Sequence, residues 1–216
     1  MSIPIYIGYD PREAVAYHVC VQSIIENCSR PEELEFRPIW GERRDGSNDF
    51  IYARFLVPHR QAFRGHAIFM DGDMIVRGDI CELWDLRSSY DGVQVVQHNY
   101  RTKYPIKYLG NKNEDYSRKN WSSVILWNCA FYPNRVLTPA MIGKFDGPFL
   151  HQFKWLEDHQ IGELPEAWNR LVMEQPVADS DKLLHYTIGL PCFKEYQDSD
   201  QAGEWWTTYK RATAPL

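Results

Sequence analysis

A short apolar run that ends in glycine, followed closely by an aspartate–proline pair, sets the frame for this chain. Ile3 to Gly8 carries few polar breaks, the pattern of a strand buried on both faces. It runs into Gly8-Tyr9-Asp10 and then Pro11-Arg12-Glu13, which reads as a helix start. Asp10 is the N-cap, Pro11 takes the first helical position, and Glu13 reaches back as in a capping box. Ala14, Tyr17, Val21, Ile24, Ile25 and Cys28 then recur at helical spacing on one face, and Leu34 to Trp40 reads as a second strand. An opening β-α-β unit is the start of an α/β fold with parallel strands.

Composition narrows the class. The chain has 216 residues, 44% hydrophobic and 25% charged, enough for one domain with a real core and too apolar for wholesale disorder. We expect a single domain over 1–216, since no linker, repeat or low-complexity tract divides it. With 24 Lys+Arg against 29 Asp+Glu the net charge is −5, which argues against nucleic acid as a partner. No apolar run approaches the roughly 20 residues that cross a bilayer. Met1-Ser2-Ile3-Pro4 lacks the basic region and apolar stretch of an export signal. Cys20, Cys28, Cys81, Cys129 and Cys192 form an odd set without a C-x-x-C pair, so neither a disulfide framework nor a cysteine zinc site is expected, and reduced thiols in a cytoplasmic protein are the expectation.

Further along, Gly41 to Asn48 is polar and rich in turn residues. A helix is expected around Asp49 to Leu56, limited by Pro58. Ala67 to Met70, Ile75 to Arg77, Val93 to Gln97 and Val124 to Tyr132 read as extended, with a short helix near Ile80 to Leu86. Asn99 to Asn120 shows no clear periodicity. It holds Arg101, Lys103, Lys107, Lys112, Arg118 and Lys119 among four tyrosines, and an irregular stretch that long inside a domain is usually functional or mobile. The last third reads as a helix near Leu150 to Asp158, extended pieces around Leu164 and Leu183, and a terminal helix with Trp205 and Trp206.

The strongest chemical signal is Phe69-Met70-Asp71-Gly72-Asp73-Met74-Ile75-Val76. An apolar strand delivers two carboxylates at i and i+2, and Gly72 between them allows a sharp turn and a close approach. Hard cations such as Mn²⁺ or Mg²⁺ take one or two carboxylates plus substrate phosphates. In open α/β sheets the ligand crevice lies at the carboxyl ends of strands, where this pair falls. Asp179-Ser180-Asp181 and Asp198-Ser199-Asp200 repeat the spacing without a buried strand before them, and read as solvated turns. His185 closes a short apolar segment and is followed by Gly189, so one imidazole ligand and a backbone approach to phosphate are available there.

Four segments carry a resemblance: Ile5-Tyr6-Ile7-Gly8-Tyr9-Asp10, Tyr52-Ala53-Arg54-Phe55-Leu56-Val57-Pro58, Phe69-Met70-Asp71-Gly72-Asp73 and His185-Tyr186-Thr187-Ile188-Gly189-Leu190-Pro191. In that order, over about 180 residues, they resemble glycosyltransferases of the GT-A fold, close to family 8, which includes glycogenin and bacterial lipopolysaccharide galactosyl- and glucosyltransferases. The resemblance implies a nucleotide-diphospho-sugar transferase fold with a mixed, mostly parallel central sheet flanked by helices. It implies that Gly8, Tyr9 and Asp10 hold the nucleobase and ribose, that Arg54 contacts the donor, and that Asp71, Asp73 and His185 hold Mn²⁺ (or Mg²⁺) against the diphosphate. Ser122 and Ser123 fall where the family contacts the donor sugar, Gly72 and Gly189 line its phosphate side, and Asp158 of Glu157-Asp158-His159-Gln160 is the candidate sugar-facing carboxylate. The family's glycine and tryptophan after the histidine are replaced here by Leu190 and Cys192, and Lys194 is assigned no role.

The implied reaction transfers a sugar from a nucleotide diphosphate, a UDP-sugar by analogy, to a hydroxyl of a saccharide or lipid-linked saccharide with retention. A front-face route or a double displacement through Asp158 would each serve. Such an enzyme takes part in polysaccharide biosynthesis, with at most peripheral membrane contact. Basic residues of 99–120 could close over the phosphates, and Trp121, Trp155 and Trp168 could offer rings to sugars. Two other classes stay open: a metal-dependent phosphohydrolase with Asp71 as nucleophile, and a non-catalytic carbohydrate-binding protein. The pyrophosphorylase pattern is disfavoured, because Gly8-Tyr9-Asp10-Pro11 has neither a glycine run nor a lysine.

Overall fold

β1 (Ile3–Gly8) pairs in parallel with β2 (Leu34–Ile39) over its whole length, Ile3 opposite Leu34 and Gly8 opposite Ile39, and α1 (Ala14–Asn27) makes the crossover. This computed structural model describes residues 2–41 and 48–214, so most of the polar Gly41–Asn48 stretch lies outside the described residues. Asp10 caps the helix entry, its Oδ1 accepting from Arg12 N at 2.9 Å, and a 3-10 turn over Pro11–Glu13 precedes the α-helix. Glu13 departs from the expected capping box. Its carboxyl is buried toward Tyr108 instead.

The strands that follow are β3 (His66–Met70), β4 (Met74–Val76), β5 (Val93–Val95), the hairpin pair β6 (Ile106–Lys107) and β7 (Asn111–Lys112), then β8 (Val124–Asn128), β9 (Ile161–Glu163), β10 (Arg170–Leu171) and β11 (Leu183–His185). The main sheet has six strands in the order β2-β1-β3-β8-β5-β9. β8 runs antiparallel to both its neighbours, while the other pairings are parallel. A second sheet, β10-β11-β4, takes β4 antiparallel to β11. The mixed, mostly parallel sheet expected from the sequence is therefore present.

Alternation along the strands fills both faces of the main sheet. Tyr6, Phe69, Ile125 and Trp127 pack on one side with Phe55 and Phe153. Ile5, Ile7, Ile68 and Met70 pack on the other with Cys20 and Ile24 of α1. The remaining helices are α2 (Val57–Arg60), α3 (Ile80–Asp85), α4 (Pro139–Ile142), α5 (Gly147–His151) and α6 (Ala202–Ala212). Trp205 of α6 closes a third cluster with Val19 of α1 and Tyr186. No helix among the described residues is long and apolar enough to cross a membrane. All five cysteines are free thiols.

Several expectations need correction. α1 buries Ala16, Val19, Cys20, Ser23 and Ile24, a face turned from the expected one, and leaves Ile25 44% exposed. A polar residue leads that rotation: Ser23 Oγ accepts from Val76 N at 2.9 Å, which docks β4 on the helix. Pro58 sits in the first turn of α2 and so begins a helix instead of limiting one. The helix expected over 150–158 ends at His151, and Phe153 takes a left-handed φ of 54°. Asp181 is no solvated turn: it is 2% exposed and accepts from Arg170 Nε at 2.9 Å.

The 99–120 stretch is also more ordered than its composition suggests. Buried Glu174 accepts from Thr102 Oγ1, Lys103 N and Asn113 Nδ2 at 2.5, 2.8 and 3.1 Å, tying both sides of the β6–β7 hairpin to the body. Tyr108 N donates to Ile188 O at 2.8 Å, and its ring stacks on Phe193.

Candidate active site

Asp71-Gly72-Asp73 links β3 of the main sheet to β4 of the second sheet, so the acid pair sits where the chain passes from one to the other. Backbone bonds fix both carboxylate residues: Asp71 N donates to Ser123 O at 3.0 Å, and Asp73 O accepts from Tyr186 N at 2.9 Å. Gly72 lies against the end of β1, where a Cβ would stand 2.5 Å from Gly8 O. Gly8 in turn faces the Phe50 ring at a distance no side chain could share.

β11 brings His185 opposite Met74. One ligand atom from each of Asp71, Asp73 and His185 lies within 4.8 Å of the others, and all three residues are nearly or wholly buried. His185 Nε2 is 3.4 Å from Asp73 Oδ1 and 3.9 Å from Asp71 Oδ2. Its tautomer follows from Asn169, whose Nδ2 donates to Ser123 Oγ at 2.8 Å and lies 3.4 Å from Asn120 O. That fixes the amide, so Asn169 Oδ1 accepts from His185 Nδ1 at 3.1 Å and leaves Nε2 facing the carboxylates.

The cluster fits a divalent cation on its own chemistry. Asp71 Oδ1 and Asp73 Oδ1 are buried and lack hydrogen-bond donors. Arg54 Nη1 is 2.8 Å from Asp71 Oδ1, but its hydrogen bond goes to Ser122 O, so the contact with Asp71 is one of charge. Burial pushes the Asp71 carboxyl up to about 6, against the pull of Arg54. For Asp73 burial is again the largest single influence, yet His185, a backbone N–H and Lys107 together hold this carboxyl below its ordinary value. Two carboxylate oxygens without donors and an imidazole nitrogen make a hard, mixed O/N donor set.

These groups border a cavity of about 570 Å³. Of the expected site residues, Arg54, Asp71, Asp73, Ser122, Ser123 and His185 line it together. Arg54 is held between the Phe50 and Phe69 rings, its guanidinium carbon 5.3 and 5.0 Å from their centres. Gly8, Tyr9, Asp10, Gly72, Gly189 and Asp158 are not among the lining residues. Asp10 is committed to Arg12 and Asp49 N, the Tyr9 ring stands edge-on to Tyr17 and Trp40, and Gly189 makes room for the Tyr196 ring. Asp158 has a side chain 90% exposed and paired with Arg118, because the chain turns out of helix at Phe153 before reaching it.

Other residues enter the cavity that the sequence did not single out. His151 reaches in from α5, with Nδ1 2.7 Å from Ser122 Oγ and Nε2 buried without a partner. Burial lowers its pKa to about 3, so it is neutral. Among the basic residues of 99–120 only Lys107 lines the cavity, its pKa lowered by burial against the pull of Asp73 and Asp71. Lys119 is spent on Asn113 Oδ1 and Glu114 O, and Arg118 on Gln152 O. Trp121, Trp155 and Trp168 do not line the cavity. Trp121 and Trp155 donate to His98 O and Asn134 Oδ1, and Trp168 is core.

No family model matches the chain. It is 39% identical over 218 residues to Protein CDI of Arabidopsis thaliana, an alignment that covers 93% of this chain and 83% of that one. Among solved structures, the galactosyltransferase LgtC with donor and acceptor sugar analogs superposes with a TM-score of 0.62 at 13% identity, over 99% of this chain and 98% of that one. The bifunctional glycosyltransferase WbbM gives 0.63 at 15% identity over 96% of this chain, which spans about half (51%) of WbbM. GlyE of Streptococcus pneumoniae gives 0.61 at 13% identity over 97% of this chain, which spans 60% of GlyE. The chain thus belongs to the family of Arabidopsis thaliana Protein CDI, and its fold is the GT-A glycosyltransferase fold of the family 8 type.

Proposed function

We propose that this chain is a metal-dependent glycosyltransferase that moves a sugar from a UDP-sugar to a hydroxyl of a saccharide or lipid-linked saccharide, with retention. The observation that carries the reading is the convergence of two donor-less carboxylate oxygens and an oriented imidazole on one side of a large cavity. It is supported by the fold shared with LgtC, which was solved with donor and acceptor sugar analogs.

Asp71, Asp73 and His185 hold Mn²⁺ or Mg²⁺, whose charge when bound stabilises the negative charge that gathers on a departing diphosphate. Arg54 faces the donor and keeps Asp71 in place. Lys107 adds positive charge on the hairpin side, where exclusion of water suppresses hydrolysis of the donor. Ser122, oriented by His151, and Ser123 face the donor sugar. The nucleobase and ribose lie toward Gly8, Tyr9 and Asp10, with the backbone at Gly72 and Gly189 on the phosphate side. Retention by a front-face route lets the departing phosphate take the acceptor's proton and asks nothing of Asp158. Asp158 reaches a sugar only after its pair with Arg118 opens. The enzyme works in the cytoplasm on glycan synthesis, touching membranes peripherally.

Calorimetric titration of UDP and GDP, with and without Mn²⁺, into wild type and Asp73→Ala tests this reading. Metal-dependent UDP binding that is lost in the variant is expected. Failure of any nucleotide to bind under any metal condition would sink it.

A further inference from the structure

A second cluster lies away from the cavity. Cys28 caps the end of α1 and Cys81 lies in the first turn of α3, and their Sγ atoms are 3.6 Å apart. Asp79, the N-cap of α3, stands beside them, and one ligand atom from each of the three lies within 4.8 Å of the others. We propose that Cys28, Asp79 and Cys81 form a second metal site, specific for a thiophilic divalent cation of the Zn²⁺ class.

Three features support it. Two thiolates bound to tetrahedral zinc at about 2.3 Å stand about 3.8 Å apart, so the observed spacing needs little adjustment. A disulfide would require the sulfurs to close to about 2.05 Å. The ligands are also oriented from outside: Arg30 N donates to Cys28 Sγ at 3.4 Å, and Ser29 N and Cys81 N donate to Asp79 Oδ1 at 3.2 and 3.0 Å. Finally, the surroundings are net acidic and favour a cation, with one guanidinium offsetting part of the thiolate charge. A dication with two thiolates and one carboxylate carries one net negative charge, and the Arg30 guanidinium lies against Cys81. Arg30 is itself flanked by Glu33 and Asp85 at 3.4 and 3.5 Å.

Binding exchanges the two thiol protons for the metal, releases them to solvent, and leaves a fourth position for water. The site would pin the end of α1 to the start of α3. It takes soft ligands where the Asp71–Asp73–His185 cluster takes hard ones, so the two sites select different metals. This assignment does not depend on the proposed transferase activity.

The test is a titration of the full-length protein, reduced by a phosphine and stripped of metal, with Co²⁺ and then Zn²⁺. Expected is a thiolate-to-cobalt charge-transfer band that saturates at one equivalent and is displaced by Zn²⁺. The band should vanish in Cys28→Ser, shown folded by circular dichroism, and persist in Asp73→Asn. In Asp79→Asn, which retains a capping side chain, affinity should fall at least about tenfold. Absence of the band in folded wild type, or its survival in Cys28→Ser, overturns the proposal. So does loss of two hydrogens from the Cys28–Cys81 pair to oxidised glutathione while stoichiometric Zn²⁺ is present.

Discussion

At Gly72 the atom a side chain would meet is the backbone carbonyl of Gly8, which cannot rotate aside as a side chain can. Gly72→Ala must therefore shift the acid loop or the end of β1. We expect a loss of about 1–3 kcal/mol of stability and at least about tenfold weaker Mn²⁺-dependent UDP binding, read by thermal unfolding and calorimetry. Wild-type values for both would show that the contact yields freely. Glu13 supports a second prediction. Burial, aided by the Asp73 and Asp10 charges, pushes its carboxyl up from 4.5 to about 8. Between those values the folded state holds a proton that the unfolded state has released, so this group's effect makes stability fall as pH rises through that window. In chelator-treated protein, Glu13→Gln should be more stable than wild type by on the order of 3 kcal/mol near pH 8, with the gap closing toward pH 4.5. Parallel wild-type and variant curves would refute this. At this scale the sequence announced the groups whose spacing is local. Asp71 and Asp73 share one loop, and His185 closes an apolar run. Asn169 and His151 were hidden because their value comes from what they touch, His185 and Ser122, and no spacing encodes either contact.

Among the elements, the β6–β7 hairpin depends on one buried carboxylate. Glu174 is 3% exposed and receives three donors from residues 102, 103 and 113. Glu174→Ala leaves Lys103 N without its acceptor, and Thr102 Oγ1 and Asn113 Nδ2 with only partners inside the segment such as Tyr104 O, at a cost on the order of 1–3 kcal/mol concentrated in this segment. The expected outcome is faster proteolysis within 99–120 and weaker UDP binding, because Lys107 enters the cavity from that hairpin, while far-UV circular dichroism changes little. Unaltered cleavage would mean that the Tyr108 contacts with Ile188 and Phe193 suffice alone. The same anchor explains why this stretch looked irregular in sequence: its order comes from Glu174, about 60 residues downstream of Asn113. Strands read well because period-two burial and apolar runs are local properties, as β1, β3 and β8 show. Helix limits read poorly where tertiary needs intervened. The left-handed Phe153 ended a helical pattern, and Ser23 rotated α1 to meet β4.

For the molecule as a whole, the order of pairing forbids a simple cut. The second sheet joins β4 to β11, more than 100 residues later, and Arg77 hydrogen-bonds Glu204 Oε1 at 2.9 Å across 127 positions. α6 closes its apolar cluster with residues of α1, near the opposite end of the sequence. A break anywhere between β4 and β11 would strip one sheet of a strand and one cluster of its lid. We therefore propose that residues 1–216 act as one domain and unfold as one cooperative unit. The tryptophans report on this, since Trp127, Trp168 and Trp205 each belong to a different apolar cluster. In a denaturant titration, tryptophan fluorescence and far-UV circular dichroism should trace the same transition with one midpoint. Separated midpoints would show that part of the chain melts independently, against the single unit that the strand pairing and the Arg77–Glu204 bond require.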